Sequence, residues 1–307
     1  MVLCHSTVEL IWGSVRAGAI LTLRITISIF LVRFVNNLTR DGSVSEFNFS
    51  NPDREAEALE SASTEDILRW SWDRFGQRVA MGTAFGATGL VLLDLAHKTV
   101  PGLRVFTIDT GFLFPETLEL KAKLEARYGF DIESVVPLQS IEEQAAEHGD
   151  ELYRRDSDQC CYLRKVEPLH RKLNDLDGWI TSLRRDQGKA RKEVRVLSPF
   201  PTHGDRVVAK INPMATWDRK RVWDYILEND VPYNPLMDQG YPSIGCRPCT
   251  SAVSASEDER AGRWVGSAKT ECGIHTIMPA DASVTSGSAS VVQAGASNGT
   301  GSSQAAD

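Results

Sequence analysis

The chain has 307 residues, 42% of them hydrophobic and 24% charged, with 34 basic against 41 acidic side chains and a net charge of −7. That apolar content is enough for a sizeable core and excludes disorder along the whole length. The acidic balance, without a long Lys/Arg block, excludes a sequence-independent nucleic-acid binder, whose affinity comes from neutralising many phosphates, so any anion site must be local.

In chain order, the first 60 residues stand apart. No acid occurs from Leu10 to Arg40, and Arg16, Arg24, Arg33 and Arg40 interrupt apolar stretches such as Ile25 to Val32. None of these reaches the ~18 residues that a membrane span needs. A secretory signal, with its basic start and unbroken apolar stretch, fits poorly as well. Residues 1–60 therefore read as a leader, either an organelle transit peptide or a non-native extension from a misassigned start, and Cys4 within it is given no role. At the other end, residues 277–307 are mostly Ser, Ala, Gly, Thr, Val, Gln and Asn, and read as a disordered tail.

Between them, residues 61–276 alternate strand and helix signals and form one expected domain. Arg78 to Phe85 is a short apolar run, followed after a Gly-containing turn by a helix from Gly89 to His97. Leu103 to Asp109 repeats the strand, Pro115 to Tyr128 is a helix with Pro at its start, and Ile132 to Val136 is strand again. Trp179 to Leu183 and Val207 to Ile211 add two apolar runs, and Thr216 is placed to cap a helix from Asp218 to Asn229. The pattern predicts an α/β fold built on a parallel sheet.

Ligands of such sheets sit beyond the carboxyl ends of the strands. The loop there after the first strand is Phe85-Gly-Ala-Thr-Gly89, whose glycines allow close backbone approach and whose following helix offers free N–H groups. It matches neither the dinucleotide nor the P-loop fingerprint. After the second strand comes Asp109-Thr-Gly-Phe-Leu-Phe-Pro-Glu-Thr117, and after a later one Leu183-Arg-Arg-Asp-Gln187 with Arg191 beyond it. Guanidinium forks suit phosphate or sulfate, although such a segment by itself also describes a solvated charged face.

Six cysteines fall as a tandem pair Cys160-Cys161, a Cys246-Arg-Pro-Cys249, a single Cys272 and Cys4. In a chain this long the bunching reads as a metal site plus a reactive thiol in a reducing compartment rather than as disulfides. Four thiolates suit a tetrahedral zinc or a cubane iron–sulfur cluster; adjacent cysteines sit awkwardly around one tetrahedral ion, which tilts the spacing toward the cluster. Cys272 lies between Lys269 and His275, whose positive charge would favour the thiolate, and Gly273 gives the segment freedom to swing.

Together these segments resemble the sulfonucleotide reductases, specifically the assimilatory adenylyl-sulfate (APS) reductase type. The resemblance runs from about Arg78 to His275 and also includes Gln239-Gly-Tyr-Pro-Ser-Ile-Gly-Cys-Arg-Pro-Cys-Thr250, Arg260-Ala-Gly-Arg-Trp264 and Glu271-Cys-Gly-Ile-His275. It implies an adenine nucleotide α-hydrolase-like, Rossmann-like single domain with a flexible C-terminal catalytic segment. The implied reaction reduces adenylyl sulfate to sulfite and AMP, with Cys272 as nucleophile, an S-sulfocysteine intermediate, and reduced thioredoxin or glutaredoxin as electron donor.

By the same resemblance Lys165, Arg191, Arg260, Arg263 and His275 hold phosphate and sulfate, with Arg184 grouped among them. Phe85, Gly86, Thr88, Gly89 and Asp109 lie in the two segments expected to serve adenine and ribose, with Thr88 standing where the family usually has an acid. Cys160, Cys161, Cys246 and Cys249 mark members that carry a [4Fe–4S] cluster and usually prefer adenylyl sulfate to its 3′-phosphorylated form (PAPS). Relatives are homo-oligomers, and a cytoplasmic location without membrane or nucleic-acid partners is expected. Nothing after His275 has the apolar bulk of the thioredoxin-like domain of plastid members, so an external reductant is expected. Two alternatives are the same reaction on PAPS and, more remotely, a non-reductive nucleotide-binding iron–sulfur protein.

Overall fold

The computed structural model describes residues 52–202, 206–254, 258–267 and 269–275, and for 52 and 53 only the backbone. All of these belong to one folded unit. Residues 1–51 with Cys4, His203 and the tail expected at 277–307 lie outside the described residues.

Six strands form one sheet: β1 (Val79–Gly82), β2 (Arg104–Ile108), β3 (Ile132–Val135), β4 (Gly178–Ile180), β5 (Leu197–Pro201) and β6 (Val207–Ile211), in the order β3-β2-β1-β4-β6-β5. Every pairing is parallel except β5 with β6. The chain first winds outward from β1 to β3, then returns to lay β4 on the other side of β1, where Ala80 pairs with Trp179. The gap between β1 and β4 is therefore the topological switch point, where such sheets open a crevice.

The central strands β1, β4 and β6 are buried on both faces, and alternate residues serve opposite layers. Val79 and Met81 pack with the residues of α2 (Thr64–Phe75), α3 (Ala87–Thr99) and α9 (Arg219–Glu228) on one side. Ala80, Phe106 and Trp179 pack with Leu169 and Leu173 of α8 (Glu167–Leu173) on the other. The remaining helices are α1 (Pro52–Glu60), α4 (Pro115–Tyr128), α5 (Ile141–His148), α6 (Leu152–Arg155) and α7 (Ser157–Cys161).

Local signals fix the ends. Ser63 accepts from the amide of Asp66 to cap α2; Ser140 and Glu143 form a reciprocal capping box on α5; and Pro115 starts α4, which Gly129 ends in the left-handed conformation.

Three expectations change. Pro52–Glu60, assigned above to the leader, is a helix whose Ala56 and Leu59 are buried and whose Glu60 pairs with Arg185 at 2.6 Å, so the folded domain begins before residue 61. The sheet is mixed rather than wholly parallel, because β5 adds an antiparallel edge. The cap of α9 is Asp218, which accepts from the amide of Arg221 at 2.7 Å, and Thr216 is not part of that helix. No helix of the described residues is long and apolar enough to cross a membrane.

Candidate active site

A cavity of about 210 Å³ opens at the carboxyl ends of β1, β2 and β4. Its floor is the strand ends themselves, including Gly82 and Thr83, Ile108 and Thr110, and Thr181 and Ser182. Gly82 is required there, since a Cβ would stand 2.8 Å from Nε1 of Trp179 and 3.0 Å from the ring of Phe106. One wall is the N-terminus of α3, where Gly86, Ala87, Thr88 and Gly89 all line the space and no side chain caps the free N–H groups. That wall is suited to acceptor atoms of a ligand.

The opposite end is cationic: Lys165, Arg191, Arg260 and Arg263 line it together with Cys272 and His275. Arg191 is held by Gln187, to whose Oε1 it donates at 2.7 Å, and by Glu271. Burial, then the neighbouring charge of Arg191, lowers the pKa of Arg260 to about 10. Arg263 stacks over Trp264 at 4.5 Å and lies against Gly245, where any Cβ would overlap its guanidinium. Lys165 is buried, which works against its charge, but the negative charge that the sulfurs of Cys246, Cys272 and Cys161 can carry outweighs that and holds its pKa above the usual value. Cations crowded in a partly desolvated site create a strong local field for an anion.

Beside this end, a smaller void is lined by Cys160, Cys161, Cys246 and Cys249, with Lys165 and Arg164 among the other residues around it. All four are free thiols, brought together by α7 and the turn at Arg247–Cys249. Burial and then the adjacent thiolates push Cys160 up to about 12, whereas Cys246, also opposed by burial, is lowered by Lys165 and by the Thr110 hydroxyl 3.2 Å from its sulfur. The chain from Tyr162 to Val166 is wound as a π-helix, a device that recurs at functional sites, and it directs Lys165 into both voids. Among the described residues no group of three or more His, Cys, Asp or Glu is arranged to hold a single metal ion.

Of the residues expected from sequence, the cavity collects Gly86, Thr88, Gly89, Lys165, Arg191, Arg260, Arg263, Cys272 and His275. It does not collect Phe85, Asp109 or Arg184. The Phe85 side chain is buried in the core and its backbone takes the left-handed region at φ 57°, which turns the loop toward α3. The Asp109 carboxylate closes a local turn on the amide of Gly111 at 3.0 Å. Arg184 is 1% exposed and its donors go to Asp186 at 2.8 Å, Glu259 at 3.1 Å and the Thr88 hydroxyl, so it braces the wall instead of facing a ligand.

The charge expected around Cys272 is also rearranged. Lys269 donates to Asp158 at 2.6 Å and to the carbonyl of Ser157 at 2.9 Å. Burial, then Lys210, Arg191 and Arg260, lowers the pKa of His275 well below the usual range, leaving the imidazole neutral. The cations whose charge reaches the thiol are thus Lys165 and Arg260, while Arg191 and Arg263 line the same cavity. Sequence reasoning passed over Lys210, Trp179 and the carboxylate of Glu271, whose partners lie far away along the chain.

Residues 78–252 match the family model described as phosphoadenosine phosphosulfate reductase domain. Among curated proteins, the adenosine 5′-phosphosulfate reductase of Salinibacter ruber is 46% identical over 211 residues, 68% of this chain and 82% of that protein. The phosphoadenosine 5′-phosphosulfate reductase of Gloeobacter violaceus is 42% identical over 242 residues, 78% of this chain and 99% of that protein. A solved structure of phosphoadenylyl-sulfate reductase from Candida auris, a phosphate complex, is similar with a TM-score of 0.58 and 35% identity, covering 69% of this chain and all of that one.

Proposed function

The chain belongs to the phosphoadenosine phosphosulfate reductase family, and from that premise we propose that it reduces adenylyl sulfate to sulfite and AMP through the thiol of Cys272. The membership makes it an oxidoreductase acting on a sulfonucleotide in sulfate assimilation. The observation that carries the finer reading is the placement of Cys272 in one cavity with Lys165, Arg191, Arg260 and Arg263, opposite the open N-terminus of α3.

In this reading the nucleoside lies along the strand ends and the α3 wall, and the phosphosulfate reaches the cationic end. The Cys272 thiolate attacks the sulfate sulfur. The bond from that sulfur to the bridging oxygen breaks, and AMP leaves with the electron pair. The enzyme then carries a sulfonate on Cys272 Sγ. A thiolate of reduced thioredoxin attacks Cys272 Sγ, sulfite leaves with the electrons of the S–S bond, and the second thioredoxin thiol resolves the mixed disulfide. The dithiol supplies the two electrons that take sulfur from the sulfate to the sulfite level. Bringing a thiolate to an anionic sulfuryl group is repulsive, and the preorganised cations offset that repulsion.

Cys160, Cys161, Cys246 and Cys249 would hold a [4Fe–4S] cluster. The donor set fits: four free thiols line one void, the complement of thiolates that a cubane cluster takes. When bound, the cluster supplies a fixed local charge beside Lys165. Free thiols in this number suit a reducing compartment such as the cytoplasm. Homo-oligomer formation remains part of the proposal by analogy with relatives.

The test is sulfite release by anaerobically purified protein with reduced thioredoxin, offering adenylyl sulfate and its 3′-phosphorylated form in parallel, with Cys272→Ser as control. Preference for adenylyl sulfate, abolished in the variant, supports nucleotide and nucleophile together. Preference for the phosphorylated form would move this chain to the activity named for the Gloeobacter violaceus relative.

A further inference from the structure

Arg191 and Arg260, two of the cations that line the cavity, converge on one carboxylate of the chain itself. Arg191 donates from Nε to Oε1 of Glu271 and from Nη2 to Oε2, both at 2.9 Å, and Arg260 donates from Nη2 to the same Oε2 at 3.0 Å. This is the arrangement a phosphate or sulfate would take: two oxygens bidentate on one guanidinium and bridged to a second. The three side chains are 12%, 17% and 20% exposed, so the contact is partly desolvated and stronger than a surface ion pair. Glu271 immediately precedes the Cys272 thiol.

The segment is tethered on either side of this contact. Lys269 is fixed to Ser157 and Asp158, while the His275 ring lies on Trp179 and its carbonyl accepts from Lys210 at 3.2 Å. Gly273, at φ 82°, gives a pivot inside the tethers. Arg260 also donates from Nη2 to the carbonyl of Thr270 at 3.0 Å, so an anion that takes this arginine over releases both contacts and frees the middle of the segment, not the whole of it.

We infer that Glu271 is a positioning residue for Cys272: its carboxylate fills the anion subsite of Arg191 and Arg260 and holds the thiol-bearing segment in the cavity until an anionic group of the ligand takes those arginines over. That the ligand is a nucleotide rests on the function proposed above; the competition between carboxylate and anion does not. Two consequences follow from linkage. The latch reduces apparent anion affinity to its intrinsic value multiplied by the fraction of molecules in which it is open. Reciprocally, anion binding loosens the segment.

The experiment compares the cluster-loaded wild-type protein with Glu271→Gln and Glu271→Ala, titrating AMP and inorganic sulfate separately by calorimetry and following amide hydrogen exchange of residues 269–275. The variants are expected to bind both ligands about tenfold more tightly, as for a latch closed in roughly nine molecules of ten. They should exchange faster without ligand, and ligand should accelerate exchange in the wild type but not in the variants. Weaker or unchanged sulfate binding by the variants, or wild-type exchange that sulfate leaves unmoved, overturns the latch and makes Glu271 a brace that orients the arginines. If sulfate behaves as expected and AMP binds none of the proteins, the latch stands and the nucleotide reading fails.

Discussion

The imidazole of His275 lies flat on the indole of Trp179, with ring centroids 5.4 Å apart and planes 13° from parallel. Trp179 belongs to β4, so this stack docks the end of the segment that carries Cys272 on the sheet beside the switch point. Because burial and three neighbouring cations hold its pKa well below the usual value, His275 anchors the segment as a neutral ring. The imidazole proton resonance that disappears in His275→Gln should therefore not shift between pH 6 and pH 8 in the wild-type spectrum. A resonance titrating near the ordinary histidine value would reject this picture.

Arg184 yields a contrast between bracing and binding. Its guanidinium is fully buried against Asp186, Glu259 and Thr88, joining the turn after β4 to the start of α3. Removing one member of such a group leaves polar atoms and charge without a partner. Arg184→Met is expected to lower unfolding stability by about 3 kcal/mol in urea titration while changing AMP affinity little. A large loss of AMP affinity at unchanged stability would return Arg184 to the ligand-binding set.

What the sequence discloses and what it conceals have physical reasons. The central strands are legible because each is an apolar run bounded by Gly, Pro or Asp, as full burial of Val79, Ala80 and Met81 demands. Strand β5 is hidden because Leu197–Pro201 contains two prolines and reads as loop; an edge strand tolerates them, having one side without a ladder. Helix α1 is hidden because it is largely charged and buries only a short stripe through Ala56 and Leu59. In the site, residue types with a chemical signature were found: paired cysteines, arginines in motifs, the Gly-containing loop. Of the arginines named from sequence, Arg191, Arg260 and Arg263 line the cavity and Arg184 does not, because Asp186 and Glu259 take its guanidinium, the latter 75 positions away and invisible to local pattern.

Lys210 gives a pH dependence of stability. Its ammonium is buried between the rings of Trp179 and Phe200, at 5.4 and 5.2 Å from their centroids, and burial followed by repulsion from Arg191 lowers its pKa from 10.5 to about 8. Below pH 8 both folded and unfolded chains carry the proton; between pH 8 and the ordinary value only the unfolded chain keeps it. The unfolded state then binds more protons, so stability rises with pH across that window, by up to about 1 kcal/mol per pH unit. Urea midpoints of wild type and Lys210→Met at pH 7.5 and 9.5 test this. The wild type should gain on the variant at the higher pH, and a constant gap would mean that Lys210 is not depressed.

Lys165 joins the two voids. Among the described residues it is the one cation that lines both the main cavity and the void of the four cysteines, and it stands four positions after Cys161 on the π-wound turn. Cys272 lines the main cavity with it and is among the sulfurs whose charge would help keep Lys165 protonated, so a cation stands beside the thiol that the proposed reaction uses. A preorganised charge at the place where anionic character is handled is worth about 10²- to 10³-fold in turnover. Lys165→Ala should lower kcat/KM for adenylyl sulfate by about that factor while the visible absorbance of the protein is retained. Activity and absorbance lost together would make Lys165 a support of the cysteine site alone. Wild-type turnover in the variant would remove it from the chemistry and leave Arg191, Arg260 and Arg263 to carry the charge.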